Sequence, residues 1–280
     1  MSRHKDSAAS RLASVLIIAL ALHSQSVDAQ SASYDTVKVT VGTGRPVAKA
    51  VEEMVSRYGY VITYEDPLLA YEIDWRDVTT QVRKDLDKFP PGAAPKVMVP
   101  RGGTLDLTLP SSHSISAETM ASLLEQVVRE QANTQQGGRF RVERDGKIFH
   151  VIPTQARDRA GIWAPQTPVL DTLISLPTQD RDRMSTLPAI THAVQAAVGV
   201  SVDMPFMGGI DSPDHPRQYR FGAENERARA VLTRALTLIG SPVNRLTWLM
   251  FCDQRACAIN LEAVPDLAHV EAMTPLRKQN

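Results

Sequence analysis

The pattern of hydrophobic and polar residues in this chain predicts the same order of strands and helices twice. Thr36–Val41 alternates apolar and polar residues, as a half-buried strand does. The apolar residues of Val47–Tyr58 then recur at steps of three and four, as on one face of a helix. Gly59 ends this stripe, and YVITY follows as a predicted strand. The second half has the same layout: LDTLISL is a predicted strand, and a helical stripe follows with Pro188 near its start, then Gly199 and the predicted strand VSVDM. The stripe consists of Leu187, Ile190, Val194, Ala197 and Val198.

Each half then continues with a second helical unit. In the first half, Thr104–Leu109 alternates as a strand and Met120–Val128 forms a helical stripe, with Ser116 placed to cap the helix. In the second half, RQYRF predicts a short strand and Ala228–Ile239 a helix. We therefore predict an α+β protein of two tandem modules, each β-α-β followed by a β-α-β-hairpin, with small sheets packed on helices.

The segment RFRVERDGKIFHVI predicts a hairpin with a two-residue turn at Asp145-Gly146. Pairing outward from that turn gives an apolar face: Val142 opposite Phe149, and Phe140 opposite Val151. Arg141 and His150 fall on the other face, because successive strand residues point to opposite sides. The sequence therefore predicts one buried face and one polar face for this hairpin.

Cys252 and Cys257 are the two cysteines of the chain, and both lie in a second predicted hairpin. If they oppose each other, two apolar pairs follow on the same face: Met250 opposite Ile259, and Trp248 opposite Leu261. In an exported chain, such a pair indicates a disulfide bond. Free thiols remain an alternative, whereas the spacing fits neither a common zinc site nor a redox pair.

The N-terminus has the three-part layout of a secretory signal peptide. A basic head precedes the apolar run Leu12–Leu22, and small residues follow before Gln30. We predict cleavage between Ala29 and Gln30. The apolar run is shorter than the roughly 20 residues of a membrane span. We therefore expect a periplasmic or secreted protein without a stable membrane span after cleavage, with an uncleaved anchor as the alternative.

These patterns divide the chain into five predicted parts. The segments are a signal peptide (1–29), a first module (34–153) with a loop insertion (65–103), a linker (154–167), a second module (168–264) and a polar C-terminal tail (265–280).

The charge balance of the exported part excludes a large electrostatic footprint. Removing Arg3, Lys5 and Arg11 from the 31 basic residues leaves 28. Removing Asp6 and Asp28 from the 31 acidic residues leaves 29. Because the two signs are also interspersed, we expect no nucleic-acid partner and no anionic membrane surface as a partner.

The run VTVGTGRPVAKAVEEMVSRYGYVITYEDPLL resembles the secretin and TonB short N-terminal domain. The shared features are a strand, a short loop, a helix of the xxAVxxMxxxYG type and a strand that ends near Asp66-Pro67. Residues 34–153 carry this resemblance, and residues 168–264 match it in element order. The resemblance implies a periplasmic module without catalytic residues that contacts envelope proteins. We expect a freestanding version of it here.

Candidate chemistry is sparse along the chain. The segment DSPDHP brings Asp211, Asp214 and His215 together in a predicted loop, where they could hold a cation, although a plain turn has the same composition. The sequence contains no HExxH, GxSxG or P-loop motif. We therefore predict no catalytic residues and no cofactor.

Three functional hypotheses follow. The leading one is an exported, non-catalytic envelope protein that acts as an interaction or scaffold module, through the loops 65–103 and 205–216 or through added strands. The second is an envelope hydrolase whose site is assembled from scattered residues. The third is a protein that binds a small ligand in the cleft between the modules.

Overall fold

The computed structural model describes residues 35–42, 44–204, 218–241, 245–253 and 255–267. The first half, up to residue 167, contains in chain order β1 (Thr36–Gly42), α1 (Pro46–Tyr58), β2 (Val61–Glu65), β3 (Trp75–Asp77), α2 (Thr79–Val82), β4 (Met98–Pro100), β5 (Thr104–Pro110), α3 (Ala117–Asn133), β6 (Arg139–Asp145), β7 (Ile148–Arg157) and β8 (Trp163–Pro165).

The second half contains β9 (Leu173–Arg181), α4 (Arg183–Val198), β10 (Ser201–Asp203), β11 (Tyr219–Arg227), α5 (Ala228–Ile239), β12 (Arg245–Cys252) and β13 (Ala256–Val264). The α+β class predicted from the sequence is confirmed.

Helices α1, α3, α4 and α5 form where the apolar stripes predict them, whereas the short α2 lies in the insertion 65–103, where we expected no helix. The predicted stripes of α1 and α3 are buried throughout: Val47, Ala50, Val51, Met54, Val55 and Tyr58 in α1, and Met120, Leu123, Leu124, Val127 and Val128 in α3. The hydroxyl of Ser116 accepts the backbone N–H of Thr119 at 3.1 Å, which caps α3. Gly59 and Gly199 end α1 and α4 with φ angles of 64° and 71°, a conformation that glycine adopts without a steric penalty.

Helix α4 begins earlier than its apolar stripe indicates. The carboxylate of Asp182 accepts the Ser185 N–H at 2.8 Å, and the Ser185 hydroxyl accepts the Asp182 N–H at 3.1 Å. This capping box starts the helix at Arg183, so Pro188 lies inside the helix and not near its start. Ala197, which we placed on the buried stripe, is exposed.

The two halves repeat one pattern of strand pairing. The first and third strands of the repeated pattern form an antiparallel ribbon, β1–β5 in the first half and β9–β11 in the second. The second strand runs parallel to the last strand of the closing hairpin, as β2–β7 and as β10–β13. The hairpins themselves are β6–β7 and β12–β13.

The strands of both halves join in one sheet, which the sequence did not predict. Among the described residues it has seven strands in the order β10-β13-β12-β2-β7-β6, with β8 also paired to β7. The halves meet where β12 runs parallel to β2, with Leu249 opposite Tyr64 and Met250 opposite Glu65. The described residues belong to one compact unit.

The sheet separates two hydrophobic cores. Helices α1 and α3 and the ribbon β1–β5 cover one face, and α4, α5 and the ribbon β9–β11 cover the other. Strand β12 contributes to both cores, because Leu249 faces the first while Trp248 and Met250 face the second. Each half therefore supplies helices to a different face of the shared sheet.

The first hairpin keeps its predicted faces but not its predicted register. The turn is Gly146-Lys147, and Val142 lies opposite Val151 where we expected Phe149. Gly146 has φ 58°, as the first central residue of a type II′ turn requires, whereas a turn at Asp145-Gly146 would force Asp145 to positive φ as well. The partner of Val142 thus lies two residues further along β7 than expected. Because the shift is an even number of residues, every side chain stays on its predicted face.

The second hairpin has the predicted register throughout. Cys252 opposes Cys257 and the two form a disulfide bond. Met250 opposes Ile259, and Trp248 opposes Leu261.

Two segments expected to be irregular contain regular structure. The insertion 65–103 carries the short strands β3 and β4, which pair with each other, and Trp75 packs with Leu69 and Ala156 in a small third core. The segment 154–167, expected to be a linker, holds the end of β7 and all of β8. Pro153 is tolerated in β7 because it lies beside a register shift in the pairing with β6.

Replacing both Cys252 and Cys257 by serine should lower the free energy of unfolding by about 2 kcal/mol without changing the fold, because the bond closes a short loop. Chemical denaturation of the oxidised protein and the double variant measures the difference. A double variant that fails to fold would show that the disulfide is a condition of the structure and not a local brace.

Candidate functional site

Of the site residues predicted from the sequence, the structure describes the two cysteines. The disulfide Cys252–Cys257 is present. The cation candidates Asp211, Asp214 and His215, like the cleavage site at Ala29 and Gln30, lie outside the described residues, so the metal and hydrolase hypotheses that use them stay predictions.

The described part of the chain contains no group of three or more His, Cys, Asp or Glu side chains placed to hold a metal ion. None of its helices has the length and apolar character needed to cross a membrane.

The end of β2 carries a buried carboxylate that reaches into the second half. Glu65 is fully buried and accepts from Arg229 Nη2 at 2.5 Å and from the Leu170 N–H at 3.1 Å. Asp171 accepts from the same guanidinium at 3.0 Å. Burial raises the pKa of Glu65, and the charge of Arg229 acts against that rise.

The next residue, Asp66, makes the equivalent contact on the opposite face of the sheet. One carboxylate oxygen accepts from Arg45 Nε at 2.5 Å and from the Cys252 N–H at 2.9 Å, and the other accepts from the Tyr64 hydroxyl at 2.7 Å. Arg45 also donates to the Cys252 carbonyl at 2.9 Å. Burial raises the pKa of Asp66, opposed by Arg45. This network holds β2 to the disulfide end of β12.

His150 lies on the face of β7 that the sequence marked as polar, but this face is covered. The ring is 5% exposed, and its Nδ1 lies 2.7 Å from the hydroxyl of Thr63. Burial, with a further contribution from the charge of Arg229, lowers the pKa of His150 to about 4. The imidazole is therefore neutral at physiological pH.

A cleft lies between α5 and the strands β2 and β7; we call it the inter-half cleft. It has two lobes that share Ile148, Thr233 and Thr237 on their walls. Lobe 1, of about 360 Å³, lies against Trp248 of β12. Lobe 2, of about 530 Å³, reaches the turn of the first hairpin and includes His150 on its wall. Both halves of the chain line the cleft.

We did not predict this site from the sequence, because its polar residues lie far apart along the chain and form no motif. Arg229 comes directly after the first residue of α5, and its role depends on Glu65, which is 164 positions away. The one available signal was the pair Glu65-Asp66 at the end of a strand whose preceding residues are apolar. Buried carboxylates require a charged or hydrogen-bonding partner, but the sequence does not say which arginine provides it.

Comparison with known proteins yields no relative: no protein-family model, curated protein or solved structure matches this chain.

Replacing Arg229 by methionine should lower the free energy of unfolding by about 3–5 kcal/mol, because it leaves Glu65 charged, buried and without its partner. Arg234→Met is the matched control on the same helix. Arg234 pairs with Glu226 at the surface, and such pairs contribute about 1 kcal/mol or less. Urea denaturation of both variants measures the contrast, and equal losses would contradict the assigned role of Arg229.

The folded state should lose stability on acidification through His150. Its pKa is lower in the folded than in the unfolded chain, so the contribution is complete above about pH 6.5 and is lost as the pH falls towards 4. The loss should be on the order of 3 kcal/mol. His150→Gln, which can still bond to Thr63, should remove this part of the pH dependence. Unfolding curves at pH 7 and pH 4.5 test it, and parallel losses in both proteins would refute it.

Proposed function

We propose that this chain is an exported, non-catalytic envelope protein that acts as a protein-interaction or scaffold module and receives a strand from its partner at β6. The observation that carries the proposal is a difference between two equivalent hairpins: the first strand of one has a neighbouring strand on its outer side, and, among the described residues, the first strand of the other does not. In the second half, the outer side of β12 is paired by β2. Its counterpart in the first half, β6, has no strand on its outer side among the described residues.

The counterpart relation follows from the pairing. Strands β6 and β12 are each the first strand of the closing hairpin, and each is separated from the parallel strand of its own half by the second hairpin strand. The contact of β12 with β2 therefore indicates the partner that β6 accepts: an extended segment that runs parallel to β6. Main-chain hydrogen bonds supply the affinity in this mode of recognition.

The side chains of β6 restrict the choice of partner. Five of its seven residues are charged, in the order RFRVERD. Charges on an edge strand disfavour indiscriminate edge-to-edge pairing, so the added segment must carry charges compatible with those of β6. Arg141 of β6 is already paired with Glu143 and Asp171. Arg139 lies over the ring of Trp163 at 4.6 Å, so its guanidinium reaches towards β8, on the other side of β7 from the open edge.

Two further observations support the envelope setting and the structural role of the buried charges. A disulfide bond persists in oxidising compartments such as the periplasm, in agreement with the signal-peptide pattern. The buried carboxylates of Glu65, Asp66 and Asp74 each pair with an arginine. These ion pairs indicate that the three carboxylates have a structural role. The resemblance to the secretin and TonB short N-terminal domain points to the same class of function.

Arg144→Pro tests the edge. In a two-residue hairpin the closing pair, Asp145 and Ile148, exchanges both hydrogen bonds, so the N–H of Arg144 points away from β7. Proline removes that outward donor and leaves the hairpin ladder intact. Tagged protein should capture a partner from the native envelope fraction, and the proline variant should recover at least about tenfold less of it.

Arg144→Ala is the matched control, because it loses the same side chain and its contact with Glu118 but keeps the N–H. It should capture the partner as the unmodified protein does. Equal capture by the proline variant, or no specific capture by the unmodified protein, would contradict strand addition at β6.

A further inference from the structure

The inter-half cleft contains polar atoms that the fold leaves without partners. Three residues on its walls carry a buried side-chain donor atom without a hydrogen-bond partner among the described residues: Trp248 Nε1 in lobe 1, Arg229 Nη1 in lobe 2 and Thr233 Oγ1 on the wall that both lobes share. Trp248 is fully buried, and Arg229 is 5% exposed. A buried polar group without a partner is costly, and native proteins rarely keep one unless something else satisfies it.

The orphaned atoms define the chemistry of the missing partner. An indole N–H and a guanidinium N–H can donate but cannot accept. The group that satisfies them is therefore an acceptor, such as a carboxylate, sulfonate or carbonyl oxygen. In lobe 2, Arg229 is already held by Glu65 and Asp171, so its unpaired nitrogen is fixed in position and does not have to be ordered when a substituent reaches that lobe.

Besides these donors, lobe 1 has apolar walls and two positively charged side chains. Its walls include the apolar side chains of Val61, Leu236 and Leu246, and they include the cations Lys147 and Arg245. No acidic side chain is among the described residues that line it. A volume of about 360 Å³ falls within the range of small-molecule pockets.

We propose that lobe 1 of the inter-half cleft binds a small, mainly apolar molecule that carries one anionic acceptor group. The apolar part packs between α5 and the strands β2 and β7, and the anionic group is attracted by Lys147 and Arg245. Lobe 2 continues from lobe 1 and gives room for a longer substituent. This inference is independent of strand addition at β6, because no residue of β6 lines lobe 1.

Two fluorescent probes of one ring system test the chemistry. 1-Anilinonaphthalene-8-sulfonate has an apolar body with one anionic group, and N-phenyl-1-naphthylamine is the same molecule without the sulfonate. Titration of the folded protein should give one saturable site that prefers the sulfonate. Lys147→Gln should weaken binding of the anionic probe by about three- to fivefold and leave the neutral probe unchanged.

Two blocking variants of α5 locate the site. Thr233→Leu fills the wall shared by both lobes and removes one orphaned hydroxyl, and Thr237→Phe fills the cleft from an exposed position that the fold tolerates. Each should weaken the anionic probe at least about tenfold. Gln195→Phe, at an exposed position of α4, is the control and should bind as the unmodified protein does.

Thermal unfolding of each variant shows whether it is folded before the titration is interpreted. The proposal is overturned if the unmodified protein binds neither probe at a saturable site, or if a folded Thr237→Phe variant binds the anionic probe as tightly as the unmodified protein. It is also overturned if the neutral probe binds as tightly as the anionic one, because the charge of the cleft would then play no part.

Discussion

The structure depends on two adjacent carboxylates at the end of one central strand. Glu65 and Asp66 point to opposite faces of the sheet, as consecutive strand residues do. Glu65 binds Arg229 on one face, and Asp66 binds Arg45 and the backbone of Cys252 on the other. Breaking one partner of a buried pair leaves an uncompensated charge. The junction of the two halves therefore tolerates little change at these positions.

The repeated connectivity explains why this junction produces both candidate sites. Each half has a closing hairpin with one side open, and β2 completes the hairpin of the second half only. The hairpin of the first half keeps its open edge at β6. Its polar face meets α5 of the other half across a cleft that is only partly filled. The open edge and the partly filled cleft thus arise from one asymmetry between two similar halves.

Short-range patterns predicted much of the fold, because helix stripes, caps and turns depend on neighbours in the sequence. The second hairpin was predicted residue by residue, since Cys252 and Cys257 set its register. The polar face of the first hairpin was also predicted, but not that it is covered. Alternation along a strand says which face His150 occupies and does not say what packs on that face. The Glu65–Arg229 contact spans the two halves, so no local pattern reveals it.

The central claim is that the two halves form one cooperative body joined at β2 and β12. Native-state hydrogen exchange tests it most directly, because it measures the free energy of opening for each backbone amide. The amides of Ile62–Tyr64 and those of Trp248–Met250 should exchange with the same, highest opening free energy. If the β12 amides exchange at a clearly lower free energy than those of β2, the halves open independently and the shared sheet does not hold them together.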